Sequence, residues 1–209
     1  VESTGAMHQT FTIEAENIAK RYNRQTLFQN LDFSIETGRS LAITGPNGSG
    51  KTTLLEIIAT LRRPSAGSVR YLVNGIEIEK REILNLVGFQ SPRSNPYSEL
   101  SGLENIQFIG SDVDDTVIDD LLYRFGLYEH RNKQVKFYSS GMKQRLKLLL
   151  TILFRPPIII LDEPGMNLDS AGRSILFSYL ESIRESRIIL IATNEVSEAD
   201  WCTVRINLE

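Results

Sequence analysis

The stretch that most constrains this chain is Gly45-Pro46-Asn47-Gly48-Ser49-Gly50-Lys51-Thr52. It fits the pattern G-x-x-x-x-G-K-[ST] at every fixed position. Ser40-Leu41-Ala42-Ile43-Thr44 ahead of it is an apolar run that reads as a buried strand, and Thr53 to Ala59 behind it reads as a helix. Strand, glycine loop and helix in that order make a phosphate cradle. Glycines let successive backbone N–H groups turn inward, and the helix N-terminus adds a dipole that favours an anion. Lys51 supplies a positive charge for β- and γ-phosphates, and Thr52 a hydroxyl for Mg²⁺. The expected ligand is a nucleoside triphosphate.

Composition narrows the setting. At 209 residues with 41% hydrophobic content, the chain suits one large domain with a sizeable core. A net charge of −3 gives no basic bias towards nucleic acid, and no nucleic-acid partner is expected. Cys202 is the single cysteine, so no disulfide forms within the chain, which fits a reducing cytosol. The longest apolar runs, Leu148 to Phe154 and Ile158 to Leu161, are split by Arg155-Pro156-Pro157 and fall short of the roughly 20 residues that span a bilayer. Residues 1–7 read as a remnant outside the fold.

Along the chain, Phe11 to Ala15 and Leu31 to Ile35 alternate in the manner of strands. Val69 to Val73 and Ile76 to Ile78 flank Asn74-Gly75, a strong hairpin signal, and Leu86 to Phe89 is a short strand ending at Gln90. From Ser91 the pattern turns helical. Val117, Leu121, Leu122 and Phe125 share one helix face, and Met142, Leu146, Leu149, Leu150 and Leu153 share another. Strands return at Ile158 to Leu161, Ile188 to Ala192 and Val204 to Leu208; the first two are continuous apolar runs suited to a parallel sheet covered on both faces. The predicted division is an α/β core over about 8–90 and 155–209 with a helical insertion over about 91–154.

Ile158-Ile159-Ile160-Leu161-Asp162-Glu163 is a strand ending in two carboxylates. Asp162 is placed to hold Mg²⁺ opposite Thr52, and Glu163, pointing elsewhere, to polarise a water in line with the γ-phosphate. Between the loop and this pair lies Tyr138-Ser139-Ser140-Gly141-Met142-Lys143-Gln144-Arg145, in which Ser139 reads as a helix cap. With Gly45 to Thr52, Gln90, this serine-glycine stretch and Ile160-Leu161-Asp162-Glu163-Pro164 in that order, the chain resembles the ATP-binding subunit of an ABC transporter over residues 8–209. Ser140 and Met142 stand where that family most often has glycine and glutamine. Ser139 Oγ, the Gly141 N–H and the helix N-terminus keep donors for a phosphate.

The resemblance implies a P-loop NTPase (RecA-like) α/β core with an antiparallel β subdomain and an inserted helical signature subdomain. It implies ATP and Mg²⁺ as cofactors. Two subunits would face head to tail, each ATP lying between one loop and the partner's Ser139, Ser140 and Gly141. Within one chain the ATP contacts would be Tyr22, stacked on adenine, and Gly45, Pro46, Asn47, Gly48, Ser49, Gly50, Lys51, Thr52 and Thr53. Thr52, Gln90 and Asp162 would serve the metal; Glu163, Lys51, Gln90 and the residue at 194 would serve catalysis. Asn167-Leu168-Asp169 matches the loop that touches the partner, and Asp169 also reads as a helix cap. The family usually shows Ala-Thr-His after the strand at 188–192; here it is Ala192-Thr193-Asn194, with His8 and His130 in the wrong places to substitute. An asparagine can donate a hydrogen bond but carries no charge, so slowed hydrolysis is expected.

The expected partners are a second ATPase subunit, identical or different, and an integral membrane subunit reached through Gln90 and residues 91–110. The expected location is the cytoplasmic face of the membrane, peripheral through that subunit. No regulatory domain is expected after the last core strand, and the signature resembles those of exporters for drugs, lipids, polysaccharides or haem. Two other readings stay open: a nucleotide-gated binding module with little turnover, and a soluble ABC ATPase not linked to transport. The acidic cluster Asp112, Asp114, Asp115, Asp119 and Asp120 reads as a solvated helix start. Lys143, Arg145 and Lys147 read as a basic stripe facing phosphate or solvent, and Trp201 and Cys202 as packing near the last strand.

Overall fold

The structure, a computed structural model, describes residues 9–23 and 25–209. The reading of residues 1–7 and the exclusion of His8 lie outside the described residues. Two sheets organise the chain. The first is antiparallel, in the order β2-β1-β4-β5, built from β1 (Phe11–Tyr22), β2 (Gln25–Glu36), β4 (Ala66–Val73) and β5 (Ile76–Glu77). The second is wholly parallel, in the order β6-β7-β8-β3-β9. Its strands are β3 (Ser40–Thr44), β6 (Val87–Gln90), β7 (Ile158–Asp162), β8 (Ile188–Ala192) and β9 (Val204–Asn207).

The antiparallel strands are longer than their alternation shows. β1 carries register shifts between Ala15 and Ile18, with Asn17 at φ 51°, and β2 has Asn30 at φ 53°. Asparagine tolerates the left-handed region, so these bulges twist the pair without ending it. Asn74 and Gly75, both at positive φ, close the β4–β5 hairpin where the sequence placed it.

The continuous apolar strands feed two cores with a period of two. Ile158, Ile160, Ile188, Leu190, Leu41 and Ile43 face one core, shared with α1 (Lys51–Ile58) and the antiparallel sheet. Ile159, Leu161, Ile189 and Ile191 face the other, shared with the helices. Alternation of side-chain direction along each strand sends successive isoleucines to opposite faces. This is why the runs contain no polar position.

A four-residue α2 (Lys80–Ile83) precedes β6. The helical block then runs α3 (Gly102–Ile109), α4 (Asp115–Arg124) and α5 (Ser140–Ile152) before the chain re-enters the parallel sheet at β7. Ser101 opens α3 with a reciprocal capping box, its hydroxyl accepting from Glu104 N while Ser101 N donates to Glu104. Asp114 caps α4, and Asp120 pairs with Arg124, so part of the acidic cluster is accounted for by the helix itself. The buried face of α4 is Ile118, Leu121 and Leu122, followed by Phe125; Val117 sits at its margin. On α5, Leu146, Leu148, Leu149 and Ile152 are buried, with Leu153 just after. α6 (Ser170–Ile183) and the short α7 (Val196–Trp201) complete the order.

Helical block and sheet meet at Gly88 of β6. A Cβ there would lie 2.4 Å from Thr151 O and 2.7 Å from Pro156 Cγ. Gly88→Ala is expected to lower stability by about 1–3 kcal/mol, the usual cost of overpacking, read as a lower thermal midpoint. An unchanged midpoint would mean that α5 gives way freely.

Candidate nucleotide site

The carboxyl ends of the parallel strands lie side by side. Register pairs Ile43 and Asp162 with Ala192, and Gln90 with Leu161. Each of these strand ends releases a segment with a polar side chain, at the edge where open parallel sheets take their ligands.

The loop after β3 is shaped by its glycines. Gly45 has φ 141°, and a Cβ there would fall 2.2 Å from Leu208 O. Gly50, at φ 104°, caps α1 against the Phe28 ring. These two positions aim the α1 N-terminus back over the strand ends. Lys51 is buried, and its ammonium donates to Gly45 O (2.7 Å), Pro46 O (3.2 Å) and Asn194 Oδ1 (3.0 Å). Asn194 Nδ2 donates in turn to Asn47 Oδ1 at 2.8 Å. Asn194 therefore spans the loop, holding its lysine and the Asn47 side chain. Thr52 donates its hydroxyl to Asp162 Oδ2 at 2.7 Å, and Thr53 is half-buried in the first turn of α1.

Among the described residues, two buried side chains beside this cradle have no hydrogen-bond partner: Ser49 at Oγ, and Gln90, which is 1% exposed, at both amide atoms. A buried amide without hydrogen bonds costs free energy, so both groups fit a site that a ligand completes. The donor set of Thr52 hydroxyl, Asp162 carboxylate and Gln90 amide oxygen is hard and oxygen-based, and it supplies few protein ligands. That suits Mg²⁺ shared with phosphate oxygens. Burial raises the Asp162 pKa, with the Thr52 hydrogen bond and Lys51 opposing it. Glu163 is half-buried at φ 50°, a left-handed conformation unusual outside glycine. Its pKa is raised by burial, with Lys51 pulling it back.

Tyr22 lies at the end of β1 with a partly exposed ring, its hydroxyl accepting from Arg62 Nη1 at 2.7 Å. Ser139 caps α5, accepting from Met142 N at 3.2 Å; Ser139 and Ser140 are exposed, and Gly141 packs against Asn167 O. Among the described hydrogen bonds, none joins Ser139, Ser140 or Gly141 to residues 45–52. Asp169 caps α6, accepting from Gly172 N.

The comparisons with known proteins bear on this arrangement. The family model described as ABC transporter matches residues 28–166. The chain belongs to that family, as an ATP-binding ATPase cassette. It is 31% identical to the lantibiotic transport ATP-binding protein SrtF of Streptococcus pyogenes, over 90% of this chain and 82% of that one. It is 30% identical to the daunorubicin resistance ATP-binding protein DrrA3 of Streptomyces coeruleorubidus, over 94% of this chain but only 64% of that protein's length. Among solved structures, an ABC transporter ATP-binding protein from Pyrococcus furiosus superposes with TM-score 0.81 at 26% identity, covering 94% of this chain and 97% of that one. A dimeric cassette in a post-hydrolysis state with ADP and Pi shares the fold, with TM-score 0.81 at 23% identity and 94% of each chain covered.

The basic stripe departs from its expected role. Arg145 donates to the carbonyls of Phe125 (2.7 Å) and Gly126 (3.2 Å), and Lys147 to Pro92 O (3.3 Å). Two of its three cations thus serve carbonyls at a helix end and a loop. Bonds from a charged donor contribute about 1.5–3 kcal/mol each, so Arg145→Ala is expected to lower the thermal midpoint while leaving ATP affinity in a fluorescent-nucleotide titration unchanged. Lost affinity would return Arg145 to the phosphate site.

Sequence reading passed over Gln144 and Glu198. Gln144 Nε2 donates to Pro164 O at 2.8 Å, tying the signature helix to the turn after Glu163. Glu198, on α7, is 1% exposed, and among the described residues neither of its carboxylate oxygens is in a well-formed hydrogen bond, although the Thr193 hydroxyl and Arg173 are near. Burial raises its pKa; the Thr193 hydroxyl and Arg173 pull against that, while Glu195 reinforces it. A carboxylate whose pKa rises on folding costs stability when ionised. That cost is full above the folded pKa and vanishes as pH falls to the ordinary carboxylate range. Glu198→Gln is therefore expected to raise the thermal midpoint near pH 8, by about 2–4 °C per kcal/mol relieved, with the gain shrinking on acidification. A gain independent of pH would show that Glu198 is not the group responsible.

Proposed function

We propose that this cassette is the motor subunit of an exporter, closing with a second cassette around two ATP and driving a separate membrane subunit. The observation that carries the reading is the convergence at the strand ends: Lys51 and Asn47 spanned by Asn194, Thr52 joined to Asp162, and a buried, unpartnered Gln90 alongside. Residues 8–209 act as one ATPase domain, with 91–154 as its inserted signature region.

In this reading the loop amides of Gly45 to Thr52 hold the phosphates, Thr53 extends the contact and Lys51 neutralises their charge. Tyr22 stacks on adenine, its exposed ring available for that contact. Mg²⁺, held by Thr52, Asp162 and Gln90, would offset charge on the phosphate oxygens. Glu163, made more basic by burial, accepts hydrogen bonding from the attacking water and aligns it. Asn194 donates its amide towards the γ-phosphate where the family usually has histidine. The exposed Ser139 and Ser140, with Gly141, offer hydroxyl and backbone donors outward, to the ATP of a facing subunit.

The helical block carries a docking surface. Val87, Phe89, Tyr97, Ile109, Leu150 and Phe154 line a groove of about 320 Å³, and Tyr97, Ile109 and Phe154 are exposed. It lies beside the segment after Gln90, so motion there is passed to a membrane subunit. None of the helices among the described residues is long and apolar enough to cross a membrane. Peripheral attachment at the cytoplasmic face follows from this pairing, and the lantibiotic and daunorubicin relatives favour export.

Glu163→Gln is expected to cut ATP turnover at least about 100-fold, the lower range for losing a general base, while ATP still binds. Asn194→His is expected to raise turnover about tenfold, the equivalent of ~1.4 kcal/mol between a neutral and a charged donor. Steady-state phosphate release with Mg²⁺, across a range of protein concentrations, checks both. Full activity in Glu163→Gln would remove Glu163 from its assigned role.

A further inference from the structure

Glu198 is a buried carboxylate that stability alone does not explain. Its nearest charged partner, Arg173 Nη1 of α6, stands 3.5 Å from Oε1, is itself partly exposed, and is shared with Glu195 at 3.7 Å. An ion pair at that distance and exposure returns little of the cost of burying the charge. Groups kept at such a cost concentrate at functional sites.

The place it occupies is specific. A Cβ on Gly165 would lie 1.8 Å from Glu198 Oε1, so the carboxylate fills the space that any other residue at 165 would need. Gly165 belongs to the turn that Glu163 opens, in which Met166 N donates to Glu163 O and Leu168 N to Gly165 O. Gln144 holds the same turn through Pro164 O. Glu198 is also four residues beyond Asn194. Thr193, between β8 and Asn194, donates its N–H to Ile43 O, and its hydroxyl accepts from Glu195 N at the start of α7.

We propose that Glu198 is a positioning residue for the ATPase site: seated against Gly165, it locks the turn that carries Glu163 to the loop that carries Asn194. The inference rests on the roles given above to those two residues. Because the turn continues through Asn167, whose carbonyl packs on Gly141, the lock also sets the signature helix relative to the water-activating carboxylate. The contact is one of shape, so an isostere preserves it and a truncation does not.

The test is a set of variants, Glu198→Ala, Glu198→Gln, Gly165→Ala and the Gly165→Ala/Glu198→Ala double, beside wild type. Steady-state ATP turnover, affinity for a fluorescent ATP analogue and the thermal midpoint are measured for each. Expected are a roughly tenfold lower kcat in Glu198→Ala with KM unchanged, recovery of most of that kcat in Glu198→Gln, and a loss in Gly165→Ala that the double variant partly reverses. The proposal is overturned if Glu198→Ala keeps wild-type kcat, if its loss follows ATP affinity or the midpoint instead, if Glu198→Gln is as slow as Glu198→Ala, or if the Gly165 and Glu198 losses add independently. A silent wild type would sink the hydrolysis reading on its own control. The same cycle is then read as ATP-driven dimer formation by light scattering, where non-additivity upholds the lock and additivity ends it.

Discussion

The structure depends on one backbone bend. Gly45 turns β3 into the loop directly beneath β9, with no room for a Cβ against Leu208 O. A side chain there would push the loop off the sheet edge, and the α1 N-terminus would no longer face the other strand ends. Every contact of the site presupposes that bend: Lys51 curling back onto Gly45 O, Thr52 reaching Asp162, and Asn194 spanning Lys51 and Asn47. The glycine costs chain entropy, and the two cores offset it.

Those cores also keep the strand ends in register. The parallel sheet is buried on both faces, by α1 and the antiparallel sheet on one side and the helical block on the other. A one-residue slip of β7 would exchange Ile158 and Ile160 with Ile159 and Leu161 between the two cores, and would move Asp162 away from Thr52. Packing specificity is in this way converted into placement of a carboxylate. At this edge the Gln90 amide has no hydrogen bond among the described residues and Glu198 only a loose ion pair with Arg173, so part of the cost of burying them is left uncompensated.

Around the Glu163 turn, several elements meet. Gln144 arrives from the signature helix and Glu198 from α7, while Glu163 itself adopts a left-handed conformation. Strain of this kind persists only where the surroundings over-determine it. The signature helix and the Glu163 carboxylate are thereby linked within one chain.

The sequence by itself determined the local chemistry. The glycine pattern with Lys51 and Thr52, the two carboxylates closing an apolar strand, the Asn74-Gly75 hairpin and the caps at Ser139 and Asp169 are all short-range features, set by backbone sterics and by hydrogen bonds over a few residues. The continuous apolar strands were equally legible, because burial on both faces leaves no polar position. Tertiary structure alone decided the rest. The Asn47–Asn194 bond joins residues 147 positions apart; Arg145 and Lys147 proved to serve carbonyls because α4 and the loop at Pro92 lie beside α5. Glu198 looks in sequence like any glutamate on a polar helix. It becomes a buried lock only because α7 packs against Gly165, and no local pattern records which glycine will lie opposite which acid.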